Sequence, residues 1–221
     1  MIETIYIKSI GETDKDMIQY LQQELAGIFR RTVSILDPLP IPPQSYDAAR
    51  QQYLSTELLK ALLANTNAPV CVPNIGTGRD EPSKVLGVTE VDLFIPIFTY
   101  VFGEAQLNGT AALISLHRLK PDYYEDWSEN GFAVNNPAQP HGPEHNRYRL
   151  RALKEAVHEL GHTFGLVHCT HEARSNPALR DQAGEDAYGR KCVMNFANNV
   201  VEVDLKDKNF CPNCLDMIIK T

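Results

Sequence analysis

Apolar and polar residues alternate from Ile2 to Lys8, the two-residue period of a strand with one buried face. Asp14, a helix-capping residue type, precedes Met17, Ile18, Leu21, Leu25 and Ile28, whose spacing predicts a helix over roughly 14–30. The β-branched run at 32–37 predicts a second strand, and the proline-rich stretch after it a loop. A second helical pattern covers 46–63. Past a loop marked by Pro69, Pro73 and Gly76, three apolar stretches of strand composition follow at 84–93, 97–105 and 109–119. Residues 119–146, rich in Pro, Asn, Gly and Asp, predict a long surface loop, and 147–164 a strong helix. Strands interleaved with long helices predict an α/β layered fold.

Residues 158–168 of that last helix and its exit read HELGHTFGLVH. His158 and His162 stand four apart, so on a helix they project from one face, at the separation from which two imidazoles reach a single zinc. Glu159 lies beside the metal and not on it, where a carboxylate takes a proton from metal-bound water. A helix continuing past His162 would carry later side chains away, but Gly165 tolerates positive φ and can turn the chain back. His168 then approaches as the third ligand. Three neutral nitrogens leave a fourth position for water, the arrangement of a catalytic and not a structural zinc.

Composition narrows the setting. The 221 residues are 43% hydrophobic and 22% charged, enough for one globular domain. The net charge of −7, with no Lys/Arg run, argues against nucleic acid as a partner. The first residues lack the basic and apolar regions of a signal peptide, and no apolar stretch is long enough to span a bilayer, so a cytoplasmic chain away from membranes is expected. In that compartment cysteines serve as metal ligands more readily than as disulfides. Cys169, Cys192, Cys211 and Cys214 cluster late in the chain, the last two as CxxC, and fit a closed tetrahedral zinc site. That site would supply folding free energy where few apolar residues follow 168. A redox CxxC is the competing reading of the last pair. Cys71 stands apart and reads as a small buried or half-buried residue, and His171 as a solvated histidine.

HExxHxxGxxH followed by a methionine turn, here Met194, resembles the metzincin signature. Cys169 directly after His168, Cys192 two before Met194 and the closing Cys211–Cys214 pair resemble the archaemetzincin branch in particular. So do RQQYLSTELL at 50–59, GVTEVDLFIP at 87–96, VFGEA at 101–105 and SLHRL at 115–119. The resemblance implies a compact twisted mixed sheet with an active-site helix and a backing helix. A subdomain over 1–165 would be followed by a small zinc-bound one over 166–221, within a single catalytic domain. It implies Met194 as a hydrophobic floor beneath the imidazoles, and 97–105 as the edge strand that binds an extended peptide, with 109–119 inside the sheet. The segment between Cys169 and Cys192 is longer than the branch's pattern and reads as an inserted polar loop.

The expected activity is peptide-bond hydrolysis by a monomer with two Zn2+ per chain, one catalytic and one structural, and Glu159 as general base. A zinc hydrolase acting on non-peptide amides, or a zinc-stabilised peptide- or protein-binding protein with an idle metal centre, are the readings it competes with.

Overall fold

The computed structural model describes residues 4–66, 83–121, 143–171 and 191–220. Cys71, most of the loop read at 119–146 and most of the insertion after Cys169 lie outside them. Strand β1 (Thr4–Ile10) is central enough to pair on both sides, parallel to β2 (Thr32–Leu39) and to β5 (Lys84–Thr89). Strand β8 (Ala111–Ser115) continues the parallel run, and β7 (Gly103–Ala105) closes it antiparallel, giving the order β2-β1-β5-β8-β7. The segment 97–105 therefore does supply an edge strand, and 109–119 an interior one, although only three residues of the former are in the ladder. Pro38 sits within β2, which its edge position permits because the outer N–H groups need no partner.

Period-2 alternation divides the core between the two faces of this sheet. Leu86, Val88, Ala112 and Ile114 point to one face, where they pack with helices α1 (Lys15–Phe29) and α3 (Pro143–Thr163). Val85, Ala111 and Leu113 point to the other, against Leu58, Leu59 and Leu62 of α2 (Ser55–Ala64). Asp14 caps α1 by accepting from the Asp16 N–H at 2.9 Å. Of the predicted α1 face, Met17, Ile18, Leu21 and Leu25 are buried, and Phe29 takes the place expected of Ile28. Helix α3 starts four residues ahead of the predicted 147.

The helical pattern read over 46–63 is corrected in its first half. The Asp47 carboxylate accepts from the Ala49 and Arg50 N–H groups, and Gln51 has φ of 56°, both incompatible with a running helix. That stretch instead forms β3 (Tyr46–Asp47) and β4 (Gln52–Leu54), which with β6 (Leu93–Phe94) make a second, three-stranded sheet.

The chain after 168 is also more apolar in effect than expected. Val193, Met194, Val200, Val203, Phe210 and Ile218 all enter the main core, with two short helices, α4 (Val200–Asp204) and α5 (Pro212–Lys220). Charged side chains of α3 hold this segment. Arg151 makes a two-pronged pair with Asp204 at 2.6 and 2.8 Å, and Lys154 Nζ donates to the carbonyls of Val203 and Asp204.

Candidate metal centre and its cleft

Helix α3 is buried along 151–161, which places His158 and Glu159 inside the molecule and not on a solvated face. The helix ends as the glycine predicts. Gly165 has φ of 83°, its N–H donates to the His162 carbonyl, and the Leu166 N–H donates to the Gly161 carbonyl. The chain thereby turns back, and the ring of His168 lies 5.3 Å from that of His158 and 5.1 Å from that of His162. One donor atom from each of the three histidines lies within 4.8 Å of the others.

The tautomers follow from the hydrogen bonds. His158 Nδ1 lies 2.9 Å from the Val193 carbonyl and His162 Nδ1 2.7 Å from the Leu166 carbonyl. Carbonyl oxygens only accept, so both Nδ1 atoms carry the proton. Both Nε2 atoms are then bare lone pairs, yet they face each other at 3.2 Å. Two acceptors at that distance repel unless a cation lies between them. Nitrogens ~2.0–2.1 Å from one tetrahedral zinc stand about 3.3–3.4 Å apart, so this donor set fits the ion. Burial lowers the pKa of all three rings, well below the ordinary value at His158, with the positive charge of Lys206 adding to it there. All three are therefore neutral ligands in waiting.

Glu159 is pushed the other way. Burial, and then the negative charge of Glu155, raise its carboxyl well above the usual carboxylate range. The backbone of Gly103 on β7 crosses directly over it: a Cβ there would lie 2.6 Å from Glu159 Cγ and 2.8 Å from Oε1. Met194 is fully buried against this helix. A Cβ on Gly161 would meet its Sδ at 2.4 Å, so the glycine between His158 and His162 is what lets the methionine approach the helix.

The four late cysteines form a second group. Cys169 and Cys211 sulfurs are 3.8 Å apart, and Cys192 and Cys214 sulfurs 3.9 Å. Thiolates ~2.3 Å from one tetrahedral zinc are about 3.8 Å apart, so this set also fits. Burial pushes the Cys192 thiol up to about 11 and the Cys214 thiol higher, whereas at Cys211 burial is outweighed by hydrogen bonds, from Cys214 foremost, that lower it. Backbone bonds tie the two sites together. The Cys169 N–H donates to the Met194 carbonyl, and Asn195 Nδ2 to the Cys169 carbonyl. His171 is exposed and serves the cysteine group: its N–H points to Cys169 Sγ at 3.4 Å, and its Nδ1 lies 3.3 Å from the same sulfur.

The three histidines open onto a cleft of about 480 Å³. The segment 97–105, expected as the edge strand, lines one wall, while the opposite wall and the floor were not foreseen. Phe98 and Tyr100 come from the segment leading into β7, and Phe196 and Asn198 from the chain after Met194. Tyr100 Oη donates to the Asn198 carbonyl at 2.6 Å, joining the two walls. Glu104 on β7 is anchored by the hydroxyls of Ser55 and Thr56 at the start of α2. Glu155 and Lys206 form the floor.

Along nearly its whole length the chain is similar to archaemetzincins. It is 34% identical to that of Methanocaldococcus jannaschii over 97% of this chain and 92% of the relative. It is likewise 34% identical to that of Pyrococcus furiosus, with 97% and 92% covered. Residues 78–181 match the family model described as Peptidase family M54. Among solved structures, the malonate complex of archaemetzincin from Archaeoglobus fulgidus is similar with a TM-score of 0.65 at 28% identity, covering 97% of this chain and 99% of that one. A zinc-dependent peptidase from Methanocorpusculum labreanum gives 0.69 at 25% identity over the same shares.

Proposed function

The chain belongs to the archaemetzincins, zinc metallopeptidases of peptidase family M54, and from that premise we propose that His158, His162 and His168 hold its catalytic zinc. Cys169, Cys192, Cys211 and Cys214 hold a second, structural zinc, for two per chain. The observation that carries the first assignment is the pair of facing Nε2 lone pairs at 3.2 Å, both Nδ1 protons being committed elsewhere. For the second it is the sulfur spacing.

Zinc at the histidines supplies Lewis acidity, polarising the scissile carbonyl and acidifying the attacking water. The rest is done by this chain's residues. The Glu159 carboxylate takes the proton of the water and passes it to the departing amine. Its raised pKa suits the first half of that transfer, since a carboxylate of ordinary basicity takes a proton from water poorly. Val193 and Leu166 carbonyls hold the rings of His158 and His162 in the ligating tautomer. The free edge of β7 offers backbone groups to an extended peptide substrate, and Gly103 lets that strand pass close over Glu159.

The same reading divides the catalytic domain at about residue 165, the 166–221 portion being fixed by the cysteine zinc. It takes the protein as a cytoplasmic monomer. Cysteine sulfurs gathered at metal-ligand spacing support the reducing compartment, and no helix among the described residues is long and apolar enough to cross a membrane. The reading is tested by stripping metal with a chelator and restoring it. Peptide cleavage should vanish and return with zinc; cleavage indifferent to the chelator would overturn it.

A further inference from the structure

The floor of the cleft carries an ion pair that the reaction leaves unused. Glu155 lies one turn ahead of His158 on α3, and Lys206 follows α4. Lys206 Nζ donates to Glu155 Oε1 at 2.9 Å, with the side chains 1% and 4% exposed. Both line the same cleft as His158, Glu159 and His168. Among the described residues each is the other's hydrogen-bonding partner, and one bond satisfies neither. An ammonium has three N–H donors and a carboxylate about four acceptor sites, so both retain capacity toward the cleft.

The walls above this floor are aromatic. Phe196 lies tilted 5.0 Å from His168 and 6.5 Å from Phe98, with Tyr100 lining the same cleft. A side chain entering there passes apolar rings and ends on a salt bridge that is neutral as a unit. An aliphatic tip would bury the spare donor and acceptors unpaired. A carboxylate would meet Lys206 but also Glu155, and an ammonium would meet Glu155 but also Lys206. A carboxamide matches both at once.

Resting on the hydrolytic reading above, we propose that Lys206 and Glu155 form a specificity floor for one of the two positions flanking the scissile bond. It selects a carboxamide side chain, glutamine above all. The carboxamide oxygen accepts from Lys206 Nζ, and its NH2 donates to the Glu155 carboxylate.

The test uses a randomised peptide library in two ways. Zinc-replete wild-type protein is scored for cleavage by mass spectrometry, and zinc-replete Glu159→Ala is used to enrich bound peptides. Glutamine should exceed glutamate and methionine at one flanking position by about tenfold or more, the worth of a hydrogen bond to a charged group. Glu155→Gln should invert the ratio, because a carboxylate then meets an unneutralised ammonium. A merely structural ion pair would lower stability on that substitution without exchanging the preference. No glutamine preference in the wild type, or a folded Glu155→Gln with an unchanged ratio, overturns the proposal. A wild type that cuts nothing contradicts the hydrolytic reading instead, and the bound pool still decides the floor.

Discussion

Replacing Gly103 with alanine sets one methyl group between the edge strand and Glu159. The added carbon would lie 2.5 Å from the Leu113 carbonyl oxygen and 2.6 Å from Glu159 Cγ. Leu113 cannot recede, because β8 is paired to β5 on one side and β7 on the other. The edge strand must therefore move off β8 at this point, and Glu159 be displaced by about 1 Å to restore ordinary carbon–carbon contact. A misplacement of that size at a reacting group costs on the order of 100-fold in rate, or about 2.7 kcal/mol of barrier. Overpacking should take roughly 1–3 kcal/mol from stability as well. The zinc ligands are untouched. The expected result is a folded Gly103→Ala protein with both zincs by elemental analysis, KM within a few-fold of wild type, and kcat down by about two orders of magnitude. A kcat within threefold of wild type would show that the position of Glu159 is not set by β7, and the reasoning would fail.

Gly161→Ala should push Met194 off the helix and lower Tm. If that contact is the cause, Met194→Ala will cost less stability on the Gly161→Ala background than on wild type, as a double-mutant cycle of thermal melts would read; strict additivity denies the contact. Cys214→Ser should reduce zinc from two to one per chain by native mass spectrometry, with a lower Tm; retention of two ions contradicts the cysteine site. The histidine pKa values are depressed from 6.5, so the rings stay proton-free through neutral pH. The zinc binding they support is lost only as pH falls through those depressed values, below 6.5. Competition with a chelating dye should show level affinity from pH 7.5 to 6.5, and a decline beginning above 6.5 would be inconsistent.

Local signals carried far in this chain, and non-local ones did not. The capped α1, the strand starts and the HELGHTFGLVH segment all rest on neighbours a few residues apart, and the glycine turn at 165 follows from that spacing alone. The error at 46–54 arose because the apolar spacing there serves a tertiary partner: the Tyr53 N–H donates to the Asp92 carbonyl, seating β4 in a second sheet. The far wall and the floor of the cleft were the least legible part. Phe98 and Phe196 meet across about a hundred residues of sequence, and Lys206 reads in isolation as a solvated lysine. Only folding brings it to Glu155, 51 residues away, under the metal centre. Gly103 falls in the family-like VFGEA segment, but its reason, the carboxylate it passes over, is visible only in the fold.

The most direct measurement is digestion of a diverse peptide library by zinc-replete wild type beside zinc-replete Glu159→Ala, with metal content determined on the same samples. The account predicts cuts by the wild type that fall by roughly a thousandfold or more in the variant while both zincs remain. Equal cutting by the two proteins at equal zinc would contradict Glu159 as the proton carrier, and with it the chemistry assigned to this site.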